Sequence, residues 1–178
     1  LGPFAPATLD LAANGSGSFG SELTASATLT SDGLPVADAA VLFSIGGTNR
    51  VGVTGPDGVA TAGLPLTSVP GSYQLTASFA GNDDYEPAAA SQTFILEKAA
   101  TSLALTPGFD LVLRGEPTGI SATLLGPGGA PLKERTVYFT LSNGTEMQTV
   151  AVITNFLGVA NLGAVDVAGG YYTVTARF

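Results

Sequence analysis

The chain has no Cys, no His and no Trp, and a single Met among 178 residues. Disulfides, thiolate nucleophiles, imidazole bases, Cys/His metal sites and Ser-His-Asp or Cys-His hydrolytic machinery are therefore excluded. Carboxylate chemistry and oxygen-ligated cations such as calcium are what remains, so the sequence reads as a protein that is not an enzyme. Charge is also scarce at 11% of residues, and 14 acids against 6 bases give a net charge of -8. That balance repels phosphate backbones and argues against a nucleic-acid partner. No apolar run approaches the roughly 20 residues a membrane-spanning helix needs, so no transmembrane segment is expected.

What is present is a folded β composition. Hydrophobic residues make up 45% of the chain, and 24 Gly with 11 Pro follow no three-residue period. Such a chain buries a core and turns often.

The sequence also repeats itself. Ala25-Ser26-Ala27-Thr28-Leu29 returns as Ile120-Ser121-Ala122-Thr123-Leu124, and Leu34-Pro35 with Val41-Leu42-Phe43 returns as Ala130-Pro131 with Val137-Tyr138-Phe139, at offsets of 95 and 96. Gly58-Val59-Ala60 returns as Gly158-Val159-Ala160, and the Gly71 to Phe79 stretch returns as Gly170 to Phe178, at offsets of 100 and 99. A period that drifts only at Gly/Pro-rich positions implies two homologous domains with different loop lengths. The boundary is placed near Lys98, giving domains 1–98 and 99–178.

Each domain reads as short strands. Tyr73, Leu75, Ala77 and Phe79 alternate with Gln74, Thr76 and Ser78, the period of two that puts one face on a core and the other in water. Tyr172 to Phe178 does the same. Further strands are expected at Leu23 to Leu29, Val41 to Ile45, Ala60 to Leu66 and Phe94 to Leu96, separated by Asp32-Gly33, Asp57-Gly58 and Pro70-Gly71 turns. One sheet would leave an apolar face wet, so two packed sheets are predicted: an all-β fold of two tandem immunoglobulin-like β-sandwiches. Tyr73 before Leu75 and Tyr172 before Val174 fit the tyrosine corner of such sandwiches. The expected core is Val41, Phe43, Tyr73, Leu75 and Phe79, with Val137, Phe139, Tyr172, Val174 and Phe178 as twins.

The phrases Leu34-Pro35-Val36-Ala37-Asp38-Ala39, Pro56-Asp57-Gly58-Val59-Ala60-Thr61-Ala62, Pro70-Gly71-Ser72-Tyr73 and Ser78-Phe79-Ala80-Gly81-Asn82-Asp83-Asp84-Tyr85 closely resemble bacterial Ig-like (Big) domains. These occur in tandem in large surface proteins, including invasin-like and intimin-like adhesins. The resemblance implies an extracellular or cell-surface location and a stalk, spacer or adhesive role. It is looser in the second domain, where Asn155-Phe156-Leu157-Gly158 replaces the acidic turn and nothing corresponds to Ala80 to Lys98.

That missing counterpart defines the main candidate site. The second sandwich lacks a last strand of its own, leaving Tyr172, Val174, Ala176 and Phe178 as an open edge that invites pairing. Either the strand lies outside this sequence, or a neighbouring copy donates one in head-to-tail, filament-like assembly. Leu9 and Leu11, in the N-terminal segment, are the candidate donor strand. Partners are therefore expected to be the protein itself or neighbouring Ig-like repeats. The alternative is an adhesin module that grips a host receptor or glycan through sandwich-end loops, for which Tyr85 and Phe156 are a thin basis.

Other constellations carry less. Asp83, Asp84 and Glu86 are weak calcium candidates, more simply a solvated turn, and no cofactor is expected. Gly15-Ser16-Gly17-Ser18-Phe19-Gly20 matches a dinucleotide-binding string but precedes a strand rather than a helix, so a flexible loop is the better reading. Asn14-Gly15-Ser16 and Asn143-Gly144-Thr145 match the glycosylation pattern but are more simply read as Asn-Gly turns.

Overall fold

The computed structural model describes residues 4–107 and 114–178; it is all-β apart from one short 3-10 turn at Pro127–Gly129. The chain divides into two compact units, Leu1–Ala99 and Ala100–Phe178.

In chain order unit 1 comprises β1 (Thr8–Ala13), β2 (Ser16–Ser18), β3 (Glu22–Ser31), β4 (Leu34–Pro35), β5 (Ala40–Ile45), β6 (Thr48–Val53), β7 (Val59–Pro65), β8 (Gly71–Phe79) and β9 (Ala88–Glu97). One sheet has β3 between β1 on one side and β7 and β4 on the other; the second runs β2-β9-β8-β5-β6. Alternation explains the packing. Leu23, Ala25, Ala27 and Leu29 of β3 are buried and the residues between them are not, and Val41, Phe43 and Ile45 of β5 face them from the other sheet. Phe43, Leu75, Phe94, Leu29 and Leu64 fill the centre of this immunoglobulin-like β-sandwich. Among the described residues no helix is long and apolar enough to cross a membrane.

Unit 2 comprises β10 (Ser102–Thr106), β11 (Ser121–Leu125), β12 (Thr136–Ser142), β13 (Met147–Ile153), β14 (Val159–Asn161) and β15 (Thr173–Arg177). Its sheets are β10-β11-β14 and β13-β12-β15, the order β1-β3-β7 and β6-β5-β8 takes in unit 1. Ala122, Leu124, Val137, Phe139, Leu141, Ala160 and Leu162 form the core.

Two local devices occur in both units. Gly58 and Gly158 each have φ near +74°, a region open to glycine at no steric cost. A Cβ there would lie 2.6 Å from the Leu29 carbonyl oxygen and 2.5 Å from that of Leu124, respectively. Buried Thr54 and Thr154 accept backbone N–H bonds from Ala39 and Arg135 at 2.9 and 3.0 Å, fixing the entry to β5 and β12. The Asn155 turn works like the acidic one: Oδ1 of Asp57 accepts the Val59 N–H, and Oδ1 of Asn155 accepts the Val159 N–H, each at 3.1 Å.

Several expectations need correction. The glycine-rich string is no flexible loop: Ser16–Ser18 forms β2, paired parallel to β9. A Cβ on Gly17 would meet Leu66 Cδ1 at 2.8 Å, so that glycine serves close packing of the strand over the core. The expected strand at Phe94 to Leu96 is the end of a ten-residue strand, β9. The proposed donor residues Leu9 and Leu11 are already engaged in β1, opposite Leu29 and Ala27 of β3, and Leu9 is buried in its own core. Phe178 is 58% exposed and is no core residue, and Val174 is only half-buried, because among the described residues β15 has a strand partner on one side alone, β12; Tyr73 and Tyr172, both expected in the core, are both half-buried at its margin.

Candidate functional site

The edge residues Tyr172, Val174, Ala176 and Phe178 stand on or beside β15, whose only strand partner among the described residues is β12. The register is fixed by β12: Ala176 lies opposite Phe139, Thr175 opposite Thr140 and Arg177 opposite Tyr138. In unit 1 Ala77 lies opposite Phe43, Thr76 opposite Ser44 and Ser78 opposite Leu42. Ala176 thus occupies the place of Ala77, Val174 that of Leu75 and Tyr172 that of Tyr73.

Strand β8 has what β15 lacks. Its second side pairs with β9 over nine positions, Tyr73 opposite Phe94, Leu75 opposite Gln92, Ala77 opposite Ala90 and Phe79 opposite Ala88. Gln92 also donates its side-chain amide to the Ala13 carbonyl at 3.1 Å, which ties the last strand to the first. Among the described residues no strand pairs that side of β15, where Val174 and Ala176 are half-buried. The backbone N–H and C=O groups on that side of β15 are bonded by no strand among the described residues.

The ends of the edge are held differently as well. The Tyr73 hydroxyl donates to the Val69 carbonyl, a tyrosine corner. Tyr172 does not repeat this: its hydroxyl donates to Glu146 at 3.1 Å and accepts from the Asn143 side-chain amide at 3.2 Å, reaching the β12–β13 turn instead. Desolvation foremost, then the hydrogen bond and charge of Glu146, raise the Tyr172 phenol above its usual range, against a lowering by Asn143. At the other end the Arg177 guanidinium lies over the Tyr138 ring, 5.3 Å from its centroid. Arg114 and Asp166 form an exposed ion pair; their hydrogen bond holds the Asp166 carboxyl below its usual range. Sequence reasoning missed Gln148, whose buried Oε1 has no hydrogen-bond partner. Its place in an alternating strand was the available signal.

The remaining candidates are not drawn into a site. Asp83, Asp84 and Glu86 are exposed, and Oδ1 of Asn82 is spent on the Asp84 and Tyr85 N–H groups. Among the described residues no three carboxylates are grouped as metal ligands. The turn is strapped by Ala5, which donates to the Asp84 carbonyl and accepts from the Glu86 N–H. Tyr85 is half-buried against the core and Phe156 is exposed at 76%, and they belong to different units. Asn14 and Asn143 are both exposed; Oδ1 of Asn143 caps its own turn by accepting the Thr145 and Glu146 N–H groups.

No protein-family model and no curated protein sequence matches the chain. Among solved structures it is similar to a protein described as membrane anchored from Corynebacterium diphtheriae, at 18% identity and a TM-score of 0.40, over 78% of this chain and 34% of that one. It is also similar to Salmonella alpha-2-macroglobulin, in a Y1175G mutant, at 16% identity and a TM-score of 0.41, over 98% of this chain and 15% of that one. The chain thus spans about a third and about a seventh of the lengths of these structures.

Proposed function

We propose that this chain is a non-enzymatic structural module of an exported cell-surface protein or extracellular filament, one that holds shape and spacing as bacterial Ig-like repeats do. The observation that carries the reading is the repetition of one sandwich plan: the β1-β3-β7 and β6-β5-β8 order of unit 1 recurs as β10-β11-β14 and β13-β12-β15 in unit 2. It also accords with the resemblance of the Pro56 to Ala62 and Ser78 to Tyr85 phrases to such repeats. Function sits in sites rather than folds. The adhesin alternative asks for clustered exposed aromatics at one sandwich end. Tyr85 is instead packed on its own core.

The test is to fuse increasing numbers of copies in line and measure particle length by electron microscopy, alongside glycan-array and receptor screens of the single chain. Length growing in proportion to copy number, with no saturable binding on the arrays, is the expected result. Saturable binding abolished by loop substitutions such as Phe156→Ala would replace the spacer reading with the adhesin one.

A further inference from the structure

Asn-Gly occurs twice in the chain, at Asn14-Gly15 and at Asn143-Gly144. An Asn side chain in this pair can close onto the next backbone nitrogen, because glycine has no Cβ to obstruct the ring and its backbone turns freely. The Gly nitrogen gives up its proton and bonds to the Asn Cγ, the Cγ–Nδ2 bond breaks, and the side-chain nitrogen leaves as ammonia. Water then opens the five-membered imide at one of its two carbonyls. The product is aspartate, or isoaspartate with the main chain rerouted through the former side chain. Water is the sole co-reactant, and nothing is oxidised or reduced.

The two sites share a dipeptide and differ in what holds it. Asn143 is fastened on both sides of the ring to be closed. Its Oδ1 accepts the Thr145 and Glu146 N–H groups at 2.9 and 2.7 Å, its Nδ2 donates to the Tyr172 hydroxyl at 3.2 Å, and the Gly144 N–H donates to Ser142 Oγ at 3.3 Å. These bonds have to open before Cγ meets the Gly144 nitrogen.

Asn14 and Gly15 lie between β1 and β2, in neither strand, and both are exposed. Among the described residues Asn14 is bonded through its backbone carbonyl, which accepts the Gln92 side-chain amide at 3.4 Å. Gly15 is bonded through its own carbonyl, which accepts the Ile95 N–H at 2.9 Å. Neither bond engages the Asn14 carboxamide or the Gly15 nitrogen. A Cβ built on Gly15 would meet nothing within 4 Å, so the segment has room to turn.

We propose that Asn14 is a site of spontaneous modification, at which the Gly15 nitrogen displaces ammonia and leaves aspartate or isoaspartate, while the fold shields Asn143. This stands apart from the structural-module reading. Its consequence falls on one crossing of the chain, since β1 pairs with β3 in one sheet, β2 pairs with β9 in the other, and Asn14-Gly15 connects them. Aspartate adds a charge to the hollow that Asn14 lines together with Glu22. Isoaspartate inserts a methylene into the main chain just before the carbonyl that receives Ile95.

The test is peptide mapping of the full chain, made in a host that adds no glycans and aged in warm, mildly alkaline buffer, with isoaspartate separated from aspartate by chromatography. In the folded chain Asn14 should be converted about tenfold or more faster than Asn143, whose hydrogen bonds must first be opened. In urea the two should react at comparable rates. Tyr172→Phe should speed conversion of Asn143 by about two- to tenfold and leave Asn14 unchanged. Gly15→Ala should slow Asn14 by about tenfold, since its Cβ hinders the ring. The Ile95 amide should exchange faster in the isoaspartate product than in the Asn14→Asp variant, which keeps the main-chain length. Equal rates at the two sites in the folded chain, or an Asn14 that reacts in urea and not in the fold, overturn the proposal. Neither failure touches the length-per-copy result that tests the spacer reading.

Discussion

Ala77 and Ala176 both sit opposite a buried phenylalanine on a central strand, yet Ala77 is fully buried and Ala176 is half-exposed. Phe79 and Phe178, at the ends of the same two strands, are 5% and 58% exposed. The difference lies in β9, which pairs β8 in one sheet and has no counterpart beside β15 among the described residues. Burial of a strand residue is thus a property of the neighbouring strand as much as of its own sequence.

The sharpest way to break that comparison is at the two phenylalanines. Phe79→Ala is expected to cost about 3 to 5 kcal/mol in chemical denaturation, as is Phe139→Ala in the core of unit 2. Phe178→Ala should stay within about 0.5 kcal/mol. Equal losses at Phe79 and Phe178 would mean that β15 is already covered in solution. Where the units agree, they should respond alike: Gly58→Ala and Gly158→Ala should each cost about 1 to 3 kcal/mol, since both need a positive φ and both would push a Cβ against a carbonyl oxygen. A large inequality there, measured as unit-resolved unfolding, would contradict the shared turn.

A smaller effect sharpens the contrast. Gln148→Leu removes an acceptor that has no partner and should raise the stability of unit 2 by about 1 kcal/mol; a loss would mean that Oε1 is bonded after all. The smallest effect concerns pH. The Tyr172 phenol is held neutral in the folded state, so its contribution to stability is present in full below the usual tyrosine range. That contribution is lost as pH rises through the raised folded value. Ultraviolet titration should find Tyr172 ionising late, moved part of the way back by Glu146→Gln, since desolvation outranks Glu146 among the causes.

The sandwich fold was legible because period-two alternation in β3, β5 and β8 is a local signal that the packing of two sheets then uses without alteration. The shared glycine turn was legible as well, from Asp57-Gly58 and its partner Gly158. Strand β2 was not: its residues are Gly and Ser, and what makes it a strand is the neighbouring β9, distant in sequence. Strand β6 was passed over because it is an edge strand with little alternation to display; its Val51 and Val53 are both exposed. At the candidate edge, the residues could be named in advance, but the degree of exposure of Phe178 could not, because it depends on what lies alongside. The donor role given to Leu9 and Leu11 failed for the same reason, since β3 lies close enough in sequence to take up β1 first.

The parallel β2–β9 pairing has one more outcome. Its entering and leaving strands run side by side in one direction, joined also by Ile95 N–H to the Gly15 carbonyl and Phe19 N–H to the Glu97 carbonyl. Tension drawn between residues on either side of unit 1 would load those bonds in shear, all at once, instead of peeling them one after another. A module built this way yields late and abruptly under stretching.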